Sequence, residues 1–293
     1  MSTKKFFMTI TILFILLTSL TSFVLANNAS NGINALNITN NQVVYKGKVL
    51  TSTPEIKQFA CLSPDGQKIA FAYKMDLTQK IWGKIGIIQV DTGKITDIFL
   101  DDNYANAFIN VQWVSDKQVA ITGHRNPSLN TYEVYDINSL KLANKYYGIG
   151  FTWNKLKTHL YYTIPAPHFT SGDRGKNKIV NELGDILYES ASDTIILGGP
   201  SFSDTEGKVA FFERELSTHD TSIIVSSVQA DKKLNTLKRI KWDDAVGDII
   251  YNSDGTINVK SKFKDVKYDI ENQKVLKTDY IQMEKKFKPD APK

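Results

Sequence analysis

CLSPDGQKIAFAY, residues 61–73, sets a Ser-Pro-Asp-Gly turn between two short apolar stretches and leaves no room for a helix on either side. Asp and Asn suit such turns because they bond their own backbone, and Gly has no Cβ to clash in a left-handed conformation. If the stretch is one hairpin, it says little; if it recurs, it defines an architecture. It recurs. Val111-Gln112-Trp113-Val114-Ser115-Asp116 precedes QVAI at 118–121, and Phe151-Thr152-Trp153-Asn154 precedes HLYY at 159–162. Pro200-Ser201-Phe202-Ser203-Asp204 precedes KVAFF at 208–212, and Ile250-Tyr251-Asn252-Ser253-Asp254-Gly255 precedes TINV at 256–259. The anchors Asp65, Asp116, Asn154, Asp204 and Asp254 lie 51, 38, 50 and 50 residues apart.

Each copy carries the same parts in order. An aromatic or apolar strand leads into the Asx turn and a second strand such as KIAFAY. A polar loop of variable length follows, then a third strand such as IGIIQV (85–90), a turn such as DTGK (91–94) and a fourth strand from Ile95 to Leu100. Four short antiparallel strands per 40–50 residues is the pattern of a β-propeller blade. No amphipathic helical period of useful length competes with it. The expected fold is therefore all-β: a single β-propeller of five or six four-stranded blades, over residues 42–282. The stretch VVYKGKVL (43–50) is left over, either as a closing strand for the last blade or as part of a degenerate sixth one. SPDGQKIAFAY followed by VDTGKI resembles the exported TolB-like propellers, built from PD40 or WD40-like repeats. That resemblance implies the architecture and a binding surface on one face, with no particular activity.

The chain begins MSTKKFFMTITILFILLTSLTSFVLA. Lys4 and Lys5, the apolar run Phe6 to Val24 and the small residues before Ala26 have the layout of a secretory signal peptide covering residues 1–26. The alternative is an uncleaved N-terminal anchor, since the run approaches the length that spans a bilayer. Cleavage implies a periplasmic or secreted protein with no stable membrane span. Residues 27–41, rich in Asn and Ser, read as a flexible leader, and 283–293 as a charged tail. Net charge is only +5 and spread along the chain, which is no nucleic-acid signature. Cys61 is the sole cysteine, so no internal disulfide is available; flanked by Phe59, Ala60 and Leu62, it reads as a packed thiol.

In a blade, the first-to-second and third-to-fourth turns share one end. The second-to-third loops and the connections between blades share the other, where the family resemblance places binding. The loops near residues 74–82, 123–130, 165–177, 213–221 and 261–265 hold His124, His168 and His219, three of the four histidines, and Arg125, Arg174 and Arg214, three of the four arginines. Phe169 sits in the longest loop, IPAPHFTSGDRGKNK (164–178), and the blade connections add Asp101, Tyr104 and Asp243. These ten residues are the candidate binding face, since loops on a rigid scaffold carry function. Trp82, Trp113, Trp153 and Trp242 fall in or beside strands and read as packing between blades.

Glu213, Glu215, His219 and Asp220 contain the residue types for acid–base work or metal ligation, without the spacing of HExxH, HxH, an EF-type loop or a Gly-x-Ser-x-Gly elbow. No catalytic residue and no cofactor is assigned, although the carboxylates of the connections leave a divalent cation such as calcium open. The sequence thus points to a monomeric module that binds a protein or peptide in the bacterial envelope or exterior. The alternative is an extracellular hydrolase or lyase with its site at the propeller pore.

Overall fold

A computed structural model describes residues 36–73, 83–100, 107–126, 129–166, 176–261 and 263–281. The described residues form strands and turns throughout, and no helix among them is long and apolar enough to cross a membrane. The strands are β1 (Leu36–Thr39), β2 (Gln42–Tyr45), β3 (Lys48–Val49), β4 (Lys57–Leu62), β5 (Lys68–Tyr73), β6 (Lys84–Gln89) and β7 (Ile95–Phe99). Next come β8 (Ala107–Ser115), β9 (Gln118–Asn126), β10 (Leu129–Asp136), β11 (Lys141–Trp153), β12 (Leu160–Ile164), β13 (Lys178–Asn181) and β14 (Ile186–Glu189). The last two repeats supply β15 (Thr194–Phe202), β16 (Lys208–Glu215), β17 (Thr221–Val228), β18 (Leu234–Lys241), β19 (Asp248–Tyr251), β20 (Ile257–Lys260), β21 (Lys264–Asp269) and β22 (Lys274–Tyr280).

These strands make five sheets, each strand hydrogen-bonded to the next along the chain: β1–β3, β4–β7, β8–β14, β15–β18 and β19–β22. Three sheets have the expected four strands. The second and third repeats share one seven-stranded sheet, because β11 runs 13 residues without a break and ends one repeat while opening the next. This explains the short 38-residue spacing between Asp116 and Asn154: the connection found elsewhere is absent. VVYKGKVL forms most of a separate three-stranded sheet, and the expected leader ends in a strand of that sheet. There Asn40 and Asn41 adopt φ of 50° and 62°, the left-handed conformation that Asn tolerates and that a tight hairpin needs.

The chain divides into two compact units, Met1–Arg125 with Tyr132–Lys145, and Asn126–Thr131 with Tyr146–Lys293. In the first, Ala70, Ala72, Ile85, Ile87 and Ile98 of β5–β7 pack against Val111, Trp113, Val119, Ile121 and Tyr135 of the following repeat. The opposite face of the β4–β7 sheet, with Ile69, Phe71, Tyr73 and Ile88, meets Val43 and Tyr45 of β2. In the second unit, Phe212, Ile223 and Val225 pack on Tyr251, Val259 and Tyr268 of the last repeat, with Trp242 among them. Both faces of an inner sheet are apolar because each lies between two others, so strands such as KIAFAY are buried along nearly their whole length.

The repeat period reappears as hydrogen bonds. Asp65 N–H donates to Asp116 Oδ1 (2.9 Å), Trp113 Nε1 to Cys61 O (3.1 Å), Asn154 Nδ2 to Glu206 Oε1 (2.7 Å) and Tyr251 N–H to Ser201 Oγ (2.9 Å). Each bond joins residues 50–52 apart in sequence. The Asx turn is also conserved as geometry. Ser63, Asn154, Ser203 and Asn252 each accept a backbone N–H from the residue three positions on, which has positive φ in every case: Gly66, Lys157, Glu206 and Gly255.

The first strands share a bulge as well, with register shifts between Gln58 and Cys61, Phe108 and Asn110, Ile149 and Thr152, and Leu197 and Ser201. Phe59, Gly150 and Gly198 take φ of 59°, 62° and 76° within them.

Asp254 illustrates how these turns respond to pH. Its carboxylate accepts from Lys267 Nζ (2.7 Å) and from the side chain and backbone N–H of Thr256, and these bonds hold its pKa far below the ordinary 3.8. A depressed carboxylate stabilises the fold above its unfolded pKa and loses that contribution as pH falls through the folded value. Asp254→Asn is therefore expected to flatten the fall in denaturant stability below about pH 4, while the parent steepens there. Equal slopes in the two proteins would refute this reading.

Candidate functional site

In each unit the candidate site is the connector end of its own sheets, opposite the Asx turns. In the first unit its best-defined part surrounds Tyr73, at the end of β5. Lys57 opens β4 and is buried, its Nζ donating to the carbonyls of Thr53 (2.5 Å) and Glu55 (2.6 Å). Lys84 opens β6, lies 4.1 Å from the centre of the Tyr73 ring, and pairs with Asp97 Oδ2 at 2.7 Å and Glu55 Oε1 at 3.7 Å. Burial lowers the pKa of Lys57, and burial together with the charges of Asp97 and Glu55 raises that of Tyr73 well above 10. Two cations and two carboxylates around a neutral phenol balance one another, so the cluster clamps the 50–56 connection to the sheet. Sequence reasoning missed it; the only available signal was a lysine at the same end of the two apolar strands that flank β5.

In the second unit, the β16–β17 turn and the β18–β19 connection meet at this end. Trp242 is buried, its backbone N–H donating to Thr221 O (2.8 Å) and its Nε1 to Ala245 O (3.2 Å), which fixes the connection. Lys241 lies between Asp220 (3.8 Å) and Asp243 (3.6 Å). Burial opposes charge on Asp244, yet its bonds from Lys264 and the Ala245 N–H outweigh burial and lower its pKa.

The expected residues divide as follows. His219 and Asp243 are exposed at the connector end, His219 at φ 62° in the turn closed by its N–H to Glu215 O (3.0 Å). His124 and Arg214 were expected in loops, but β9 extends to Asn126 and β16 to Glu215, so both lie in strands. His124 is half-buried opposite Ala107, and Arg214 donates from Nε to Thr221 Oγ1 (3.0 Å). Arg125 also belongs to β9 by its backbone; its side chain, together with Asp101, Tyr104, His168, Phe169 and Arg174, lies outside the described residues. Of the tryptophans, Trp113 and Trp242 sit in the cores between repeats, and Trp82 is outside the described residues.

Two carboxylates are buried deeper in the sheets. Glu213, 1% exposed, accepts from Tyr188 Oη (2.5 Å) and pairs with Arg239 Nη2 (2.7 Å). Glu133 accepts from Tyr135 Oη (2.6 Å) and pairs with Lys145 Nζ (2.6 Å). The first group joins β14, β16 and β18 across two sheets and the second joins β10 to β11, so each ties strands rather than facing a ligand. Among the described residues, no three His, Cys, Asp or Glu side chains are grouped to hold a metal ion. Burial pushes the Cys61 thiol up to about 12, which keeps it protonated and unreactive at neutral pH.

No protein-family model matches the sequence, and no curated protein matches it. Among solved structures, the chain is similar to the β-propeller domain of the Trilobed protease from Pyrococcus furiosus, at 14% identity and a TM-score of 0.50, over 78% of this chain and 69% of that one. It is similar to a dipeptidyl aminopeptidase IV from Bacteroides ovatus at 14% identity and a TM-score of 0.53, over 84% of this chain and 46% of that one. An oligogalacturonate lyase crystallised with manganese gives 10% identity and a TM-score of 0.53, over 78% and 66% of the two chains. At such identities the likeness concerns architecture alone, and together with the antiparallel sheets it shows that the chain has a β-propeller fold.

Proposed function

We propose that this chain is a non-enzymatic binding module, a single propeller of five or six blades, exported like the TolB-like proteins its first repeat resembles, and that it holds a protein or peptide at its connector end. One observation carries the reading: the two ends of the sheets differ in kind. The turn end repeats one hydrogen-bonded motif four times, at Ser63, Asn154, Ser203 and Asn252. Among the described residues the connector end differs between repeats, with a lysine–tyrosine clamp in β4–β7 and, in β15–β18, a His219 turn beside a Trp242-anchored connection bearing Asp243. A scaffold constant at one end and individual at the other suits recognition through loops.

The test is affinity capture with residues 27–293 against envelope extract of the source organism. Two variants run alongside, His168→Ala/Phe169→Ala/Arg174→Ala and His219→Ala/Asp243→Ala. A partner retained by the parent and lost by either variant, at equal circular dichroism, is the expected result. Retention unchanged by both would move binding away from this end. With no macromolecule retained and cleavage of an extracellular polymer detected, the hydrolase or lyase alternative would replace the binding module.

A further inference from the structure

We propose that the segment held at the connector end of the second unit is basic, with an apolar residue close to its cations. The inference rests on the binding reading above and names the chemistry of the partner. Its centre is the β18–β19 connection, 242–247, whose start the Trp242 hydrogen bonds fix. The far end is fixed too: a Cβ at Gly247 would lie 2.0 Å from the Lys260 carbonyl oxygen, so the backbone rests against the end of β20. Side chains carried here are presented without a further cost of ordering the main chain.

Charge at this rigid edge is out of balance. Lys241 is shared by Asp220 and Asp243 and reaches neither within hydrogen-bond distance, at 3.8 and 3.6 Å, and the Asp243 side chain is 81% exposed. Lys264 is committed to Asp244. Three carboxylates thus face two ammonium groups, in a chain whose net charge is +5. A cation from a partner restores the balance, and an arginine fork can take both Asp220 and Asp243 in place of the loose Lys241 pairs. An apolar patch adjoins the carboxylates. Lys264 Nζ, bonded to Asp244, is also 6.0 Å from the ring centre of Tyr280, a residue 77% exposed. Next to it, Phe263 and Ile281 are each about half exposed and are joined by the Ile281 N–H to the Phe263 carbonyl (2.8 Å). Large apolar side chains beside a surplus of one charge select a partner that combines both complements.

The test is fluorescence anisotropy of three labelled synthetic peptides with the chain used for affinity capture. One alternates Arg and Leu, the second has Glu in place of Arg, and the third has Ser in place of Leu. The Arg–Leu peptide is expected to bind about ten-fold more tightly than either of the others. It should lose about ten-fold with Asp220→Asn/Asp243→Asn and with Phe263→Ser/Tyr280→Ser, at unchanged circular dichroism. Asp204→Asn/Asp231→Asn, at the turn end, should bind it as the parent does. No binding of the Arg–Leu peptide, equal binding of all three, or an equal loss in the turn-end variant overturns the proposal. So does self-association of the parent that Phe263→Ser/Tyr280→Ser abolishes, which would make a second copy the occupant. If affinity capture still yields a partner lost on His219→Ala/Asp243→Ala, only the basic chemistry falls; if nothing is captured either, the binding reading falls with it.

Discussion

Gly199→Ala is expected to cost the second unit about 3 kcal/mol or more and to leave it largely unfolded at physiological temperature. A Cβ at Gly199 would lie 1.9 Å from the Gly150 carbonyl oxygen, and one at Gly150 would lie 2.0 Å from the Gly199 nitrogen. The first strands of two successive repeats thus touch backbone to backbone, at the bulges where Gly150 and Gly198 take positive φ. Neither side can yield by rotating a side chain, because the contact atoms belong to main chains already held in sheets. Gly207→Ala is the control: its Cβ would meet only Thr205 Oγ1 at 3.5 Å, and a change within about 0.5 kcal/mol is expected. Guanidinium unfolding followed by Trp153 and Trp242 fluorescence measures both. A Gly199→Ala protein as stable as the control would show that the two backbones are not in contact.

Arg239→Ala has the second large effect, a loss of about 2–3 kcal/mol. The Glu213 carboxylate is 1% exposed, so removing its cation leaves a charge in the sheet with only the Tyr188 hydroxyl for support. The figure lies below the full penalty for breaking a buried pair because the Arg239 side chain is half exposed and water can enter behind it. Arg239→Lys should recover part of the loss by restoring charge without the fork geometry. Glu213→Gln/Arg239→Ala should be more stable than Arg239→Ala alone, since the stranded charge is gone. A double variant no better than the single one would mean that Arg239 acts by packing rather than by charge.

What the sequence made legible follows from whether a feature is local. The Asx turn depends on neighbouring residues, so Asp65-Gly66 and Asp254-Gly255 could be read directly, and KIAFAY could be read as a strand. Trp113 and Trp242 were legible as packing because they fall in or beside strands of the repeats. The fusion of two repeats through β11 was not, since KLANKYYGIGFTW carries Gly148 and Gly150, which resemble a loop; these glycines instead permit close backbone approach and a bulge. β1 was hidden for a similar reason, because Asn37, Asn40 and Asn41 look like leader, yet Leu36 and Ile38 alternate to one side of a paired strand.

The placement of the candidate residues was legible only in part. His219 and Asp243 are exposed at the expected end, whereas His124 and Arg214 were drawn into strands whose ends polarity alone had set too early. The charged groups around Tyr73 and Glu213 escaped notice because their members come from different strands. One strand at a time, Lys57, Lys84 and Arg239 look like ordinary solvent-facing residues.

The ties between repeats, at Asp65–Asp116, Asn154–Glu206 and Ser201–Tyr251, also bear on how the protein is made. Each closes once about 50 further residues have been added to the chain. At about 5–20 residues per second, a growing chain supplies the partner within seconds. A finished sheet with one apolar face uncovered therefore waits only briefly for the next one. The chain can assemble in the order of its synthesis, and a pause in elongation would be most hazardous when a completed sheet still lacks its successor.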